Sequence, residues 1–162
     1  MKCVKIAAAI ALCLGMGQAF AQTCASPTAL TAAGVTNVDG CAVGTTNTVG
    51  LLCGFTDNAS QDTIFSFTLG AGFTATTIHL TTTTPAYLGQ MVLQQACGST
   101  SECIATGSAA AAGGAFDLTL TGQPAGAYFL IVDGQGGATD CGVFSLTLNG
   151  TLPVQLQKFS VD

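Results

Sequence analysis

Apolar and polar residues alternate with a period of two over much of this chain, in short runs punctuated by Gly, Asn, Asp and Pro. That period is the mark of half-buried strands. Within residues 63–69, Phe65, Phe67 and Leu69 share one face. Thr76, Ile78 and Leu80 alternate with Thr77, His79 and Thr81, and residues 88–95 carry Met91 and Leu93. Phe116, Leu118 and Leu120 alternate with Asp117, Thr119 and Thr121, and Phe144, Leu146 and Leu148 alternate with Ser145, Thr147 and Asn149. Residues 128–132 are apolar throughout, which predicts a central strand covered on both faces. No stretch has a helical period. The best alternative, residues 108–112, is short and closed by Gly113-Gly114, and reads as a loop. Short strands joined by Gly-rich turns predict an all-β chain, a single jelly-roll-like antiparallel β-sandwich.

The first residues have a different pattern. Met1, Lys2 and Lys5 precede the apolar run 6–14, and Ala19-Phe20-Ala21 is a small-x-small site. This is the layout of a secretory signal peptide over residues 1–21, with cleavage expected between Ala21 and Gln22. The run is too short for a membrane anchor, and no lipobox precedes Cys13 or Cys24. The expected product is one domain over residues 22–150 followed by a C-terminal segment, 151–162, at the cell surface or outside it.

Charge narrows the partners. The chain has no Arg or Trp, and loss of Lys2 and Lys5 leaves Lys158 against eight carboxylates, a net charge of −7. So few cations cannot neutralise phosphates, which argues against nucleic acid and against anionic membrane surfaces. The richness in Val, Ile, Leu, Phe and Thr argues against disorder. A surface of hydroxyls and amides with little charge favours strands and self-association.

Six cysteines follow the leader: Cys24, Cys41, Cys53, Cys97, Cys103 and Cys141. An even set in an exported chain predicts three disulfides. Zinc is the lesser alternative, because the closest pair, Cys97 and Cys103, has five residues between its members and His79 is the only histidine. Gly98-Ser-Thr-Ser-Glu102 is a turn-forming spacer, so the expected local bridge is Cys97–Cys103. The pairing of the other four stays open.

Three motifs then fall in a familiar order. Asp62-Thr-Ile-Phe-Ser-Phe-Thr68 resembles the "D-x-Y-x-F-x" strand of bacterial pre-peptidase C-terminal (PPC) domains. Leu118-Thr-Leu-Thr-Gly-Gln-Pro-Ala-Gly-Ala-Tyr-Phe-Leu-Ile-Val-Asp133 resembles their "L-x-x-G-x-Y-x-L-x-V" hairpin, and Gly142-Val-Phe-Ser-Leu-Thr-Leu148 their closing "G-x-F-x-L-x-V" strand. The chain departs from the pattern at Ile64, where an aromatic is usual, and in its extra cysteines. The resemblance covers residues 24–150. It implies a jelly-roll-like sandwich that aids secretion, targeting or binding and does not catalyse.

Candidate chemistry is sparse. His79 is the only imidazole base, and alternation puts it on an outward face between threonines. No nucleophile signature accompanies it. Paired carboxylates of a glycosidase would want aromatic sugar platforms, and the chain has only Tyr87 and Tyr128. No catalytic or cofactor-binding residue is therefore assigned, and the protein reads as no enzyme. Calcium is the one metal considered: Asp57 and Asp62 lie in one polar loop, and Asp133 and Asp140 bracket a Gly-rich turn. The competing reading is that these carboxylates satisfy local backbone amides. Asn58-Ala-Ser60 and Asn149-Gly-Thr151 match a glycosylation pattern by chance in a bacterial-type chain.

The last segment is a leftover with a pattern of its own. Leu152, Val154 and Leu156 alternate with polar residues and Pro153, after which Phe159 and Val161 form the next apolar pair. It is either an edge strand of the same sandwich or a strand that adds to a neighbouring subunit or is read by sorting machinery. It loosely resembles the "L-P-V-x-L" tails of secreted bacterial surface proteins. Three function classes follow: a surface structural or assembly component (matrix, fibre or adhesive subunit), a module binding a surface glycan or protein, and a small secreted hydrolase. The missing site residues rank the hydrolase last.

Overall fold

A computed structural model describes residues 23–42, 47, 53–54, 59–71, 75–99 and 102–150. The leader, the segment 151–162 and Asp57 lie outside them. The described residues form nine strands: β1 (Thr28–Ala29), β2 (Val35–Asp39), β3 (Thr63–Leu69), β4 (Ala75–Thr82), β5 (Gly89–Gln94), β6 (Ala105–Ser108), β7 (Phe116–Thr121), β8 (Gly126–Gly134) and β9 (Val143–Gly150). Residues 108–112 are not helical: Ser108 closes β6 and a turn follows.

The strands make two sheets, one ordered β1-β3-β8-β5-β6 and the other β2-β9-β4-β7. Every pairing is antiparallel except that of β1 with β3. Without the two-residue β1, the orders 3-8-5-6 and 2-9-4-7 are those of a jelly roll. The chain is thus an all-β sandwich.

Period-two alternation explains the core between the sheets. Phe65, Leu69, Met91, Leu93, Tyr128, Leu130 and Val132 come from the five-stranded sheet, and Ile78, Leu80, Leu118, Leu120, Phe144 and Leu146 from the other. Burying each such side chain is worth roughly 1.5–3 kcal/mol, so this layer supplies most of the driving force. Phe65 and Phe144 meet edge to face across it, with centroids 6.3 Å apart. Three of the four sheet edges are short or irregular, which discourages pairing with other chains, and β7 is the regular one. β1 has two residues, β6 has four, and β2 is bulged between Val35 and Val38. Gly34, just before that bulge, has φ +73°, and a Cβ there would lie 2.1 Å from the Leu146 carbonyl oxygen. Only glycine fits.

A second apolar cluster lies on the outward face of the five-stranded sheet. Ile64, Val92 and Ile131 are fully buried there, with Phe129, Cys24, Cys53 and Cys97 packed against them. β8 is therefore covered on both faces, as its unbroken apolar run predicts. So is β5, in which all six residues are buried although only Met91 and Leu93 show apolar alternation.

Three disulfides join distant segments: Cys24–Cys97, Cys41–Cys141 and Cys53–Cys103, separated by 73, 100 and 50 residues, with Cα atoms 5.2–5.5 Å apart. The expected local Cys97–Cys103 bridge is not formed. The β5–β6 register pairs Leu93 with Ala105, and extending it puts Gln95, not Cys97, opposite Cys103. The hairpin ladder already closes that loop, whereas bridges between distant segments restrict the unfolded chain far more.

Candidate functional site

Two polar constellations stand out, one exposed and one buried. The exposed one is the outward face of the four-stranded sheet. Alternation sends Thr77, His79 and Thr81 outward from β4, Asp117, Thr119 and Thr121 from β7, and Ser145, Thr147 and Asn149 from β9. The register aligns them in rows: Asp117–His79–Thr147, Thr119–Thr77–Asn149 and Thr81–Ser145. His79 is on the outward face as expected, with its side chain 34% exposed, and its Nδ1 lies 2.6 Å from Asp117 Oδ1. The order acid, imidazole, hydroxyl is that of a catalytic triad. However, no hydrogen bond joins His79 to Thr147 among the described residues. The row is a polar surface feature.

The buried constellation lies at one end of the other sheet's outward face. Asp62 directly precedes β3, and extending the β3–β8 register one pair beyond Thr63–Val132 sets it opposite Asp133. Asp133 in turn pairs with Gln90 of β5. Asp62, Asp133 and Gln90 are 0%, 5% and 1% exposed, and Ser60 beside them is 2% exposed. Asp133 is held by hydrogen bonds from three groups. Its Oδ1 accepts from Ser60 Oγ and from the Gly134 N–H (2.7 Å), and its Oδ2 accepts from Gln90 Nε2 (2.8 Å). Gln90 Oε1 is buried and finds no hydrogen-bond donor among the described residues.

Tyr87 approaches the same end from the core side, 3% exposed, and donates to the Asp133 carbonyl oxygen at 3.0 Å. Burial first, and then the nearby carboxylates of Asp133, Asp140 and Asp62, push its phenol above the ordinary range. Asp140 binds the loop after β8: its Oδ1 accepts from the Leu88 N–H and its Oδ2 from the Gly136 N–H, at 3.0 and 2.5 Å. That loop folds so closely on the strand that a Cβ on Gly134 would fall 1.9 Å from the Asp140 carbonyl oxygen.

Of the four candidate calcium ligands, the structure thus gathers Asp62, Asp133 and Asp140 around Tyr87, and Asp57 lies outside the described residues. Both carboxylate oxygens of Asp133 and of Asp140 take protein donors. Among the described residues no three His, Cys, Asp or Glu side chains are grouped so as to hold a metal ion. The assembly candidates Val154, Leu156, Phe159 and Val161 also lie outside the described residues. Ser60 and Gln90 were not legible as partners of Asp133, because Gln90 alternates with apolar residues as a solvent-facing strand residue does.

No family model, curated protein or solved structure matches the chain. The likeness to PPC domains rests on the three sequence motifs. The disulfides point to an oxidising, extracellular environment. Among the described residues no helix is long and apolar enough to cross a membrane.

Proposed function

We propose that this protein is a secreted, non-catalytic β-sandwich of PPC-like type. In this reading it serves at the cell surface or in the extracellular matrix as a structural subunit that assembles through its C-terminal segment. Residues 1–21 direct export, and the mature chain starts at Gln22. The observation that carries the reading is where the sandwich ends. Among the described residues β9 is the last strand; it lies between β2 and β4 and runs to Gly150. The amphipathic residues 152–162 follow β9 in sequence. Strand addition to a second copy would gain main-chain hydrogen bonds and bury Val154, Leu156 and Phe159. Lys158 and Asp162 are the only charges there to oppose it.

Light scattering of the mature chain and of a chain ending at Gly150, at matched concentration, tests this. The full chain should associate, and the shorter one should fold and stay monomeric. Two monomers would overturn self-assembly through the tail. Failure of the shorter chain to fold would make the segment an ordinary edge strand.

A further inference from the structure

An aspartate or asparagine followed by glycine is a chemically weak step, because the glycine nitrogen can close on the side-chain carbonyl before it and no Cβ hinders the attack. The described residues contain three such steps: Asp39-Gly40, Asp133-Gly134 and Asn149-Gly150. In the first two the glycine nitrogen is engaged. The Gly40 N–H donates to the Gly142 carbonyl oxygen at 3.0 Å, and the Gly134 N–H to Asp133 Oδ1 and Ser60 Oγ. Both steps also carry carboxylates, which are poor electrophiles, and Asp133 is buried away from water. The third step differs. Leu146 turns its carbonyl oxygen toward Gly34 and β2, since a Cβ on Gly34 would lie 2.1 Å from it. Main-chain groups alternate in direction along a strand, so Leu148 and Gly150 face the same way and Asn149 faces β4. Thr76 Oγ1 accordingly donates to the Asn149 carbonyl oxygen at 3.2 Å. On the other side the ladder with β2 stops at Val35–Leu146, and no hydrogen bond reaches the Gly150 N–H among the described residues. Asn149 and Gly150 are both exposed.

We propose that Asn149 is a site of spontaneous deamidation, the one of these steps that the fold leaves reactive. The Gly150 nitrogen gives its proton to water and bonds to Asn149 Cγ. The Cγ–Nδ2 bond then breaks, and Nδ2 takes up a proton and leaves as ammonia, so that a cyclic imide remains. Water adds to either imide carbonyl and opens the ring. Cleavage at Cγ gives an aspartate, and cleavage at the main-chain carbonyl gives an isoaspartate. One water is consumed and one ammonia released, with no cofactor or oxidant. The reacting groups belong to adjacent residues, so closure needs only rotation about the Asn149 main chain. That rotation opens the last pairs of the β4–β9 ladder, Thr77–Asn149 and Thr76–Gly150, and strand ends fray at little cost. Glycine is required at the second position: its φ is +143°, and a Cβ there would meet Thr76 Oγ1 at 2.6 Å. The product puts a new negative charge in the exposed row Thr119–Thr77–Asn149. As isoaspartate it also lengthens the main chain by one carbon where β9 passes into residues 151–162. The site does not depend on the assembly proposed above.

Incubation of the full, folded exported protein at neutral pH, beside the free peptide Ser-Leu-Thr-Leu-Asn-Gly-Thr of residues 145–151, tests this. Peptide mapping by mass reads the exchange of amide for acid at Asn149, and labelling with isoaspartyl methyltransferase reads isoaspartate at every position. Asn149 should convert no more than about tenfold more slowly than the peptide, an opening cost of about 1.4 kcal/mol. Positions 39 and 133 should stay unchanged over the same time. Asn149→Gln should fold and lose both signals, because its longer side chain does not close the ring with Gly150. A folded chain in which Asn149 lags further behind the peptide overturns the proposal. So does isoaspartate that forms first at position 39 or 133, or that persists in Asn149→Gln.

Discussion

Ile64 on β3 and Ile131 on β8 lie directly opposite each other on the outward face of the five-stranded sheet, and neither has any exposed surface. A sandwich needs only its inward faces buried. This one also hides part of an outer face, and three disulfide cysteines, Cys24, Cys53 and Cys97, pack over it. The bridges therefore act twice: they restrict the unfolded chain and hold a cover on apolar surface that would otherwise face water.

The connectivity can be checked directly. Peptide mapping without reduction should find Cys24–Cys97, Cys41–Cys141 and Cys53–Cys103, and no free thiol. A Cys97–Cys103 peptide would contradict the structure. Replacing Cys41 and Cys141 together by Ala should lower stability by about 2–5 kcal/mol, because this bridge closes the longest loop.

The outer cluster makes a second prediction. Ile131→Ala should cost about 2–5 kcal/mol, the range for truncating a buried aliphatic residue. Thr119→Ala, on the exposed face of the other sheet, should change stability by no more than about 0.5 kcal/mol. Equal effects in denaturant titrations would mean that the outer face is not a working core.

These contrasts show what a sequence of this kind discloses. Alternation located β3, β4, β5, β7 and β9, because each has one face in the central core and period two follows from that, whereas an unbroken apolar run located β8. β1 and β2 carry no such signal: one is too short, and the other is bulged at Asn37, whose φ is +51°. β6, Ala-Thr-Gly-Ser, offers no apolar alternation to read. The burial of Gln90 and Gln94 was hidden for a different reason. Gln90 is held by Asp133 on β8 and Gln94 by Gly98 and Ser99 in the turn after β5, and pattern along one strand reports neither. Non-locality defeated the disulfide assignment, since spacing between Cys97 and Cys103 says nothing of where Cys24 and Cys53 arrive.

The His79–Asp117 pair is exposed enough for water and salt to screen it. A double-mutant cycle with His79→Ala and Asp117→Ala should give a coupling of about 0.2–1 kcal/mol that shrinks in high salt. His79→Ala alone should cost no more than about 0.5 kcal/mol. A loss of several kcal/mol would show that the row Asp117–His79–Thr147 is covered rather than open.

Tyr87 ties the buried acid cluster to alkaline stability, and the sign can be worked out. Burial, and then Asp133, Asp140 and Asp62, raise its phenol in the folded protein above the ordinary tyrosine range, whereas the unfolded chain titrates near about 10. Below pH 10 both states hold the proton, so stability does not depend on this group. Above it the unfolded state releases the proton first, and folding loses up to about 1.4 kcal/mol per pH unit for each such tyrosine. Tyr128 is raised in the same direction by burial, so two residues contribute. Stability should therefore fall with rising pH above about 10, and tyrosinate absorbance should appear together with loss of the sandwich rather than before it. Tyr87→Phe removes the phenol but keeps the ring stacked near Phe144. It should reduce the alkaline slope while leaving neutral-pH stability lower by about 0.5–1.5 kcal/mol, the worth of the hydrogen bond to the Asp133 carbonyl oxygen. Full tyrosinate absorbance in a chain still folded at high pH would show that Tyr87 and Tyr128 are open to solvent.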